Sequence, residues 1–223
     1  MVDTKIYFAD VSPLERDALF SEYYAKMPQY RREKIDLLKR SGDKTRSLGA
    51  WVLLSRALKS VGVDENAEIL LGKNGKPLLK DAQDVHFNLS HSGDLVMCVV
   101  SAREVGCDVE LVKDGRLGVA QRFFTPGECR FIGLGEDERV KNERFFRLWT
   151  LKESFIKANG AGLSIPLNTF SVIPDGAPRF SLDFDGKTYT FCEIDTENAN
   201  YKAAVCVLGG NVKYEPKIVF ENF

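Results

Sequence analysis

The chain has 223 residues, with 31 basic and 32 acidic side chains and a formal net charge of −1 when both histidines are neutral. That length accommodates one large domain or two of about 100–125 residues. A composition 44% hydrophobic and 11% aromatic supplies a core and excludes disorder. The even charge balance leaves no basic excess for nucleic acid, so an anionic ligand must meet a local cluster of basic groups.

Cys98, Cys107, Cys129, Cys192 and Cys206 form no C-x-x-C pair and read as reduced thiols, most of them in apolar runs. With two histidines and no cysteine cluster, a zinc site is not expected. The first ten residues do not read as a signal peptide, and no apolar run is long enough to span a membrane. A soluble cytoplasmic protein is expected.

In chain order, Lys5–Val11 reads as a strand, and Ser12-Pro13-Leu14-Glu15 as a helix start with a hydroxyl cap, a first-turn proline and a glutamate. Helical spacing continues through Leu19, Phe20 and Tyr23, again from about Tyr30 to Leu38, and over Lys44–Val61 with Gly62 as its stop. Strand-like runs follow at Glu68–Leu71, Val85–Leu89, Leu95–Ser101 and Glu104–Val112. Helices are predicted at Thr125–Leu134 and Asp137–Asn159, then strands near Phe170–Ile173, Phe180–Phe184, Thr188–Ile194 and Tyr201–Leu208. Strands cluster late in each half, which favours an α+β layered arrangement over a doubly wound sheet.

Arg46, Trp51, Leu53, Lys59 and Gly62 recur at a constant offset as Arg144, Trp149, Leu151, Lys157 and Gly160. The repeat suggests two similar α/β half-domains with pseudo-twofold symmetry, residues 1–103 and 104–223, with a cleft between them. Such clefts are preferred ligand sites.

The chemistry concentrates in three stretches. In Val105-Gly106-Cys107-Asp108-Val109-Glu110-Leu111, strand alternation sends the apolar residues to one face and places Asp108 and Glu110 on the other, about 7 Å apart. Such a pair repels unless a cation lies between them or water bathes the face. In the helix carrying Trp149, Glu153 and Lys157 stand at i and i+4 on a segment otherwise apolar over most of its circumference. Three carboxylates and a lysine suit a hard cation that holds a phosphate. In Phe87-Asn88-Leu89-Ser90-His91-Ser92, a strand is expected to run into a polar turn with hydroxyls and an imidazole for an anion. Gly72-Lys73-Asn74-Gly75-Lys76-Pro77 lacks P-loop spacing.

These pieces resemble the Sfp-type 4′-phosphopantetheinyl transferases. The matching stretches are Gly75-Lys76-Pro77, Phe87–Ser92, Val105–Glu110, Arg122-Phe123-Phe124 with Glu128, and Trp149–Lys157 running on to Gly160 and Gly162-Leu163, in the family's order and spacing. The resemblance implies transfer of the phosphopantetheine arm of coenzyme A to a serine of an acyl or peptidyl carrier protein, with release of 3′,5′-ADP and dependence on Mg²⁺. It implies Asp108, Glu110 and Glu153 as metal-binding acids, Lys157 and His91 as phosphate-binding groups, and Lys76 and Ser90 along the nucleotide. Arg31, Lys34 and Arg46 match basic positions for the 3′-phosphate of coenzyme A, or form a solvated helix face. Glu153, with Lys157 beside it, is the expected catalytic pair, the glutamate taking the serine proton.

Thr125-Pro126-Gly127-Glu128 has the form of a capping box, which accounts for Glu128 without a metal, while the resemblance also offers it as an outer-shell metal ligand through water. Trp149 reads as core. Two fused halves would make a monomer sufficient. A metal-dependent hydrolase built on Asp108 and Glu110, and a binding module for coenzyme A without turnover, remain as alternatives.

Overall fold

A computed structural model describes residues 4–114, 116–174, 179–209 and 217–223. The strand β1 (Lys5–Asp10) opens the chain, followed by the helices α1 (Asp17–Ala25), α2 (Gln29–Asp36) and α3 (Ser41–Lys59). A short hairpin, β2 (Ile69–Leu71) and β3 (Pro77–Leu79), precedes the longer β4 (His86–Ser92) and β5 (Leu95–Ser101). The second series is β6 (Val105–Leu111), α4 (Leu117–Phe123), α5 (Pro126–Gly133), α6 (Glu138–Asn159), β7 (Arg179–Phe184), β8 (Lys187–Ile194) and β9 (Tyr201–Leu208). The final strand is β10 (Lys217–Glu221).

The strands form two four-stranded sheets, ordered β10-β1-β5-β4 and β6-β9-β8-β7, beside the β2–β3 hairpin. Within both sheets the pairing is antiparallel except for β10, which runs parallel to β1. In the first sheet β1 lies beside β5 with β4 next, and in the second β6 lies beside β9 with β8 next. The architecture is mixed α+β.

Strand alternation generates the layers. Tyr7 and Ala9 of β1 and Val96, Cys98 and Val100 of β5 pack with Leu48, Leu53 and Leu54 of α3. The intervening residues Ile6, Phe8, Met97 and Val99 face the second sheet, meeting Val105, Cys107, Val109, Val205 and Val207. On that sheet's other face, Ala204, Cys206 and Phe191 pack with Phe145, Leu148, Leu151 and Phe155 of α6. Burial on both faces explains why β5 reads as an unbroken apolar run, and why Cys98, Cys107 and Cys206 serve as small hydrophobes, all fully enclosed.

Several boundaries differ from expectation. Ser12–Glu15 is a 3-10 turn with no side-chain cap, and α1 starts only at Asp17. Phe170–Ile173 forms no strand; buried side chains hold its backbone, as described below. Helix α4 and strands β3 and β10 carry too weak a periodic signal in too few residues to be read from the sequence. By contrast, α5 has the predicted capping box: Thr125 accepts from the Glu128 N–H, and the Glu128 carboxylate accepts from the Thr125 N–H.

Candidate active site

Gly106 is the keystone of the site. A Cβ built on it would lie 2.2 Å from the Ser154 carbonyl oxygen and 2.3 Å from the Ala158 nitrogen. Only a hydrogen lets β6 approach the backbone of α6 this closely. Two and four residues further along the same face of β6 come Asp108 and Glu110, while Glu153 and Lys157 come from α6. Asp108 is buried, 4% exposed. Its Oδ1 accepts from Lys157 Nζ at 2.7 Å and from Ser90 Oγ at 2.8 Å, whereas its Oδ2 is buried with no hydrogen-bond partner among the described residues. Lys157 Nζ also donates to the Cys107 carbonyl at 3.0 Å and to Ser90 Oγ at 3.2 Å.

The expected polar turn is instead the end of a strand: β4 runs through Ser92, and the turn falls at Gly93. Alternation then points Asn88, Ser90 and Ser92 toward the free edge of β6. Asn88 Oδ1 accepts from the Cys107 N–H at 3.0 Å, Ser90 Oγ from Val109 at 3.3 Å and Ser92 Oγ from Leu111 at 3.1 Å. Side chains of one edge strand thus satisfy the backbone of another, where an open edge would otherwise be left. Ser92 Oγ also donates to Glu110 Oε2 at 2.6 Å, so the ladder orients both carboxylates of β6 through Ser90 and Ser92. The sequence offered the Ser92 hydroxyl for an anion and gave Asn88 no role; the alternating Asn-x-Ser-x-Ser pattern was the available signal for this ladder.

The electrostatics follow from this crowding. Burial raises the pKa of Glu153, and repulsion from Asp108 adds to it. Burial raises Glu110 as well, with the Ser92 hydrogen bond opposing and Asp108 reinforcing. Burial works against the Lys157 ammonium, but Asp108 and Glu153 help to outweigh it, and its pKa lies above the ordinary lysine value. His91 stands on the opposite face of β4, with its pKa pressed down by desolvation at the cavity wall and by Arg46.

Three cavities share these residues. One of about 600 Å³ is lined by Arg31, Trp51, Ser90, His91, Asp108, Glu110 and Lys157. An apolar one of about 860 Å³ is lined by Asp108, Glu110, Phe123, Trp149, Glu153 and Leu167. A third, of about 330 Å³, is lined by Gly75, Lys76, Leu89, Glu153, Lys157 and Gly160. Trp149, read as core, stacks on Phe145 and also walls the apolar cavity.

The basic residues divide. Arg31 reaches the first cavity; Arg46 stands beside it, bonded to Asp43 at 2.6 Å and to the Gly93 carbonyl at 3.1 Å. Lys34 lies exposed on α2 and lines none of these three cavities. Lys76 pairs with Glu104 at 2.5 Å and donates to the Ala158 carbonyl at 3.2 Å, near the C-terminus of α6 where a cation is favoured.

Among the described residues no three His, Cys, Asp or Glu side chains converge as a ready metal site. Asp108, Glu110 and Glu153 nonetheless share one electrostatic field, and the orphaned Asp108 Oδ2 suits a cation. Mg²⁺ commonly takes one or two carboxylates, with phosphate oxygens and waters completing its octahedron. The donor chemistry therefore fits a cation that arrives with a phosphorylated ligand.

Fold and site define an α+β protein whose adjoining cavities carry side chains of both charge signs. Residues 104–206 match the model of the 4′-phosphopantetheinyl transferase superfamily, a stretch that includes β6 and the whole of α6. The chain belongs to that family. It is 36% identical over 180 residues to a 4′-phosphopantetheinyl transferase of Bacillus subtilis, covering 79% of this chain and 80% of that protein. It is 35% identical over 200 residues to the B. subtilis 4′-phosphopantetheinyl transferase ffp, covering 88% and 87%. Over 134 residues it is 40% identical to the 4′-phosphopantetheinyl transferase Sfp of B. subtilis strain 168, covering 59% of each.

Proposed function

We propose that this protein transfers the 4′-phosphopantetheine group of coenzyme A to a serine hydroxyl of an acyl or peptidyl carrier protein, with release of 3′,5′-ADP. The observation that carries the reading is the meeting of three cavities at Asp108, Glu110, Glu153 and Lys157 in a chain of this family. Residues 1–103 and 104–223 are read as two half-domains related by a pseudo-twofold axis, with β10 crossing back to the first sheet. The site occupies the cleft between them. The shared strand order and the recurring tryptophan helix support this reading.

Coenzyme A is assigned to the cavities that carry Arg31, Ser90, His91, Lys76 and Lys157. Arg46 and Lys34 stand outside them as further cations for its phosphates. Asp108 and Glu110, with Glu153, would hold Mg²⁺, which when bound neutralises pyrophosphate charge. In the reaction the serine oxygen bonds to the β-phosphorus, and the bond from that phosphorus to the bridging oxygen breaks, releasing 3′,5′-ADP. The serine proton passes to Glu153, whose raised pKa suits a base. Lys157, held charged, stabilises the growing negative charge on the phosphoryl oxygens. Holding the hydroxyl in line supplies much of the rate. The carrier approaches from the side of the apolar cavity, near Arg122 and Phe123 and close to α5. No oligomeric partner is needed to complete the cleft, and a monomer is the working assignment. Among the described residues no helix is long and apolar enough to cross a membrane; the assigned compartment is the cytoplasm, where coenzyme A and carriers meet.

The test is to incubate the protein with coenzyme A, Mg²⁺ and an apo carrier protein, and to weigh the carrier. A mass gain of one phosphopantetheinyl group is expected. No gain with any of several fatty-acid, polyketide and peptide carriers would overturn the reading and return attention to the binding-module alternative. Hydrolysis without transfer would favour an Asp108–Glu110 hydrolase.

A further inference from the structure

Next to Glu153 in sequence lies a charge that the reaction does not use. Lys152 and Glu128 pair at 2.9 Å with both side chains 0% exposed. Lys152 Nζ also donates to the carbonyls of Leu167 at 2.6 Å and Phe170 at 2.7 Å, so its three N–H groups are all engaged. The rings of Phe170 and Phe124 flank it at 4.3 and 5.5 Å. Glu128 Oε1 accepts from the Val172 N–H at 3.0 Å, and Oε2 from Thr125 at 2.9 Å. Burial pushes the Lys152 pKa down, and Glu128 opposes the shift.

The pair therefore ties together the start of α5, the middle of α6 and the irregular segment 167–172. Leu167, with Ile165, Pro166 and Asn168, walls the apolar cavity that Glu153 also lines. Stability alone gives little reason for such a pair, because neutral side chains of similar shape often replace a buried ion pair at no cost. What neutral substitutes lose is the set of N–H donors aimed at two loop carbonyls.

We propose that Glu128 and Lys152 form a positioning clamp, which holds the 165–170 wall against Glu153 and so sets the approach of the acceptor hydroxyl. Neither residue touches reacting atoms. The inference rests on the transferase reading, and on Glu153 as the group that receives the acceptor proton.

The experiment compares wild type, Lys152→Met, the double variant Glu128→Gln/Lys152→Met, and Pro166→Gly, which loosens the same wall without touching the pair. Melting temperature, coenzyme A affinity, kcat for carrier modification and acrylamide quenching of Trp149 fluorescence in a Trp51→Phe background are read for each. Lys152→Met alone should melt lower, because it strands a buried carboxylate. The double variant should regain part of that melting temperature, since no charge is left unpaired, keep coenzyme A affinity within twofold, lose kcat at least tenfold and show increased quenching. Pro166→Gly should reproduce the kcat loss and the quenching, and it decides the matter if the double variant does not fold. Recovery of kcat together with melting temperature in the double variant, or an unchanged kcat in Pro166→Gly, would overturn the clamp. Absence of transfer by wild type would instead remove the transferase reading itself.

Discussion

Replacing Gly106 by alanine adds one methyl group where β6 lies against α6. Gly106 does not use the left-handed region open to glycine, so the residue is required for space and not for backbone conformation. The new Cβ would sit 2.2 Å from one helix backbone atom and 2.3 Å from another, where ordinary contact begins near 3.4 Å. Backbone cannot swing aside as a side chain can, so α6 must retreat by roughly 1 Å, an overpacking that costs about 1–3 kcal/mol. For a chain of this size that is a fall in melting temperature of about 2–12 °C, too little to unfold a domain holding about 5–15 kcal/mol. The rate should suffer far more. A retreat of that size carries Lys157 Nζ out of its 2.7 Å bond to Asp108 and moves Glu153 with it, and a misplacement of about 1 Å can cost about 100-fold in rate. Melting curves and carrier modification followed by mass spectrometry would test this, with Gly118→Ala as control, since nothing lies within 4 Å of a Cβ there. A Gly106→Ala protein that melts like wild type and transfers at the wild-type rate would refute the close-packing argument.

Further outcomes follow from the same site. Glu153→Gln should leave coenzyme A binding measurable by calorimetry and abolish carrier modification; unchanged transfer would remove Glu153 from the chemistry. In the metal-free protein, burial and the neighbouring Asp108 raise the pKa of Glu153 above the ordinary glutamate value of 4.5. The same raised pKa stabilises the fold fully below 4.5 and ceases to do so as pH rises through the folded value. The melting temperature of Glu153→Gln minus that of wild type should therefore grow with pH across that window, and a flat difference would contradict the assignment. Asp108→Ala should demand at least about tenfold more Mg²⁺ for half-maximal transfer, and a normal Mg²⁺ titration would reject Asp108 as a metal-binding acid. Ser92→Ala deprives Glu110 of its 2.6 Å donor and the Leu111 N–H of its acceptor. It should cost about 1–3 kcal/mol in denaturant unfolding, whereas Ser92→Thr should recover part of the loss.

Much of the site was legible because its elements are local. Period-two alternation over Val105–Leu111 separates core from carboxylates, and Val105, Cys107 and Val109 are indeed fully buried. The capping box of α5 needs only four consecutive residues, and helical spacing puts Glu153 and Lys157 on one face without knowledge of what that face meets. Other features depend on where the chain returns. Phe170–Ile173 has the composition of a strand, yet buried side chains of Glu128 and Lys152 take up part of its backbone hydrogen bonding. The partner of Lys157 is Asp108, from a strand far away in sequence, and not the i−4 glutamate that helical spacing offers. Nothing local shows that Ser90 and Ser92 face the edge of another strand, or that β10 joins the first sheet beside β1.

Sequence alone thus determined which residues bear charge, which residues of β6 alternate into the core and where the capping box starts α5, since these follow from backbone periods over a few residues. Tertiary structure alone decided which charges meet, how near β6 comes to α6 and which cavities open on the acids, because those depend on contacts between segments distant along the chain.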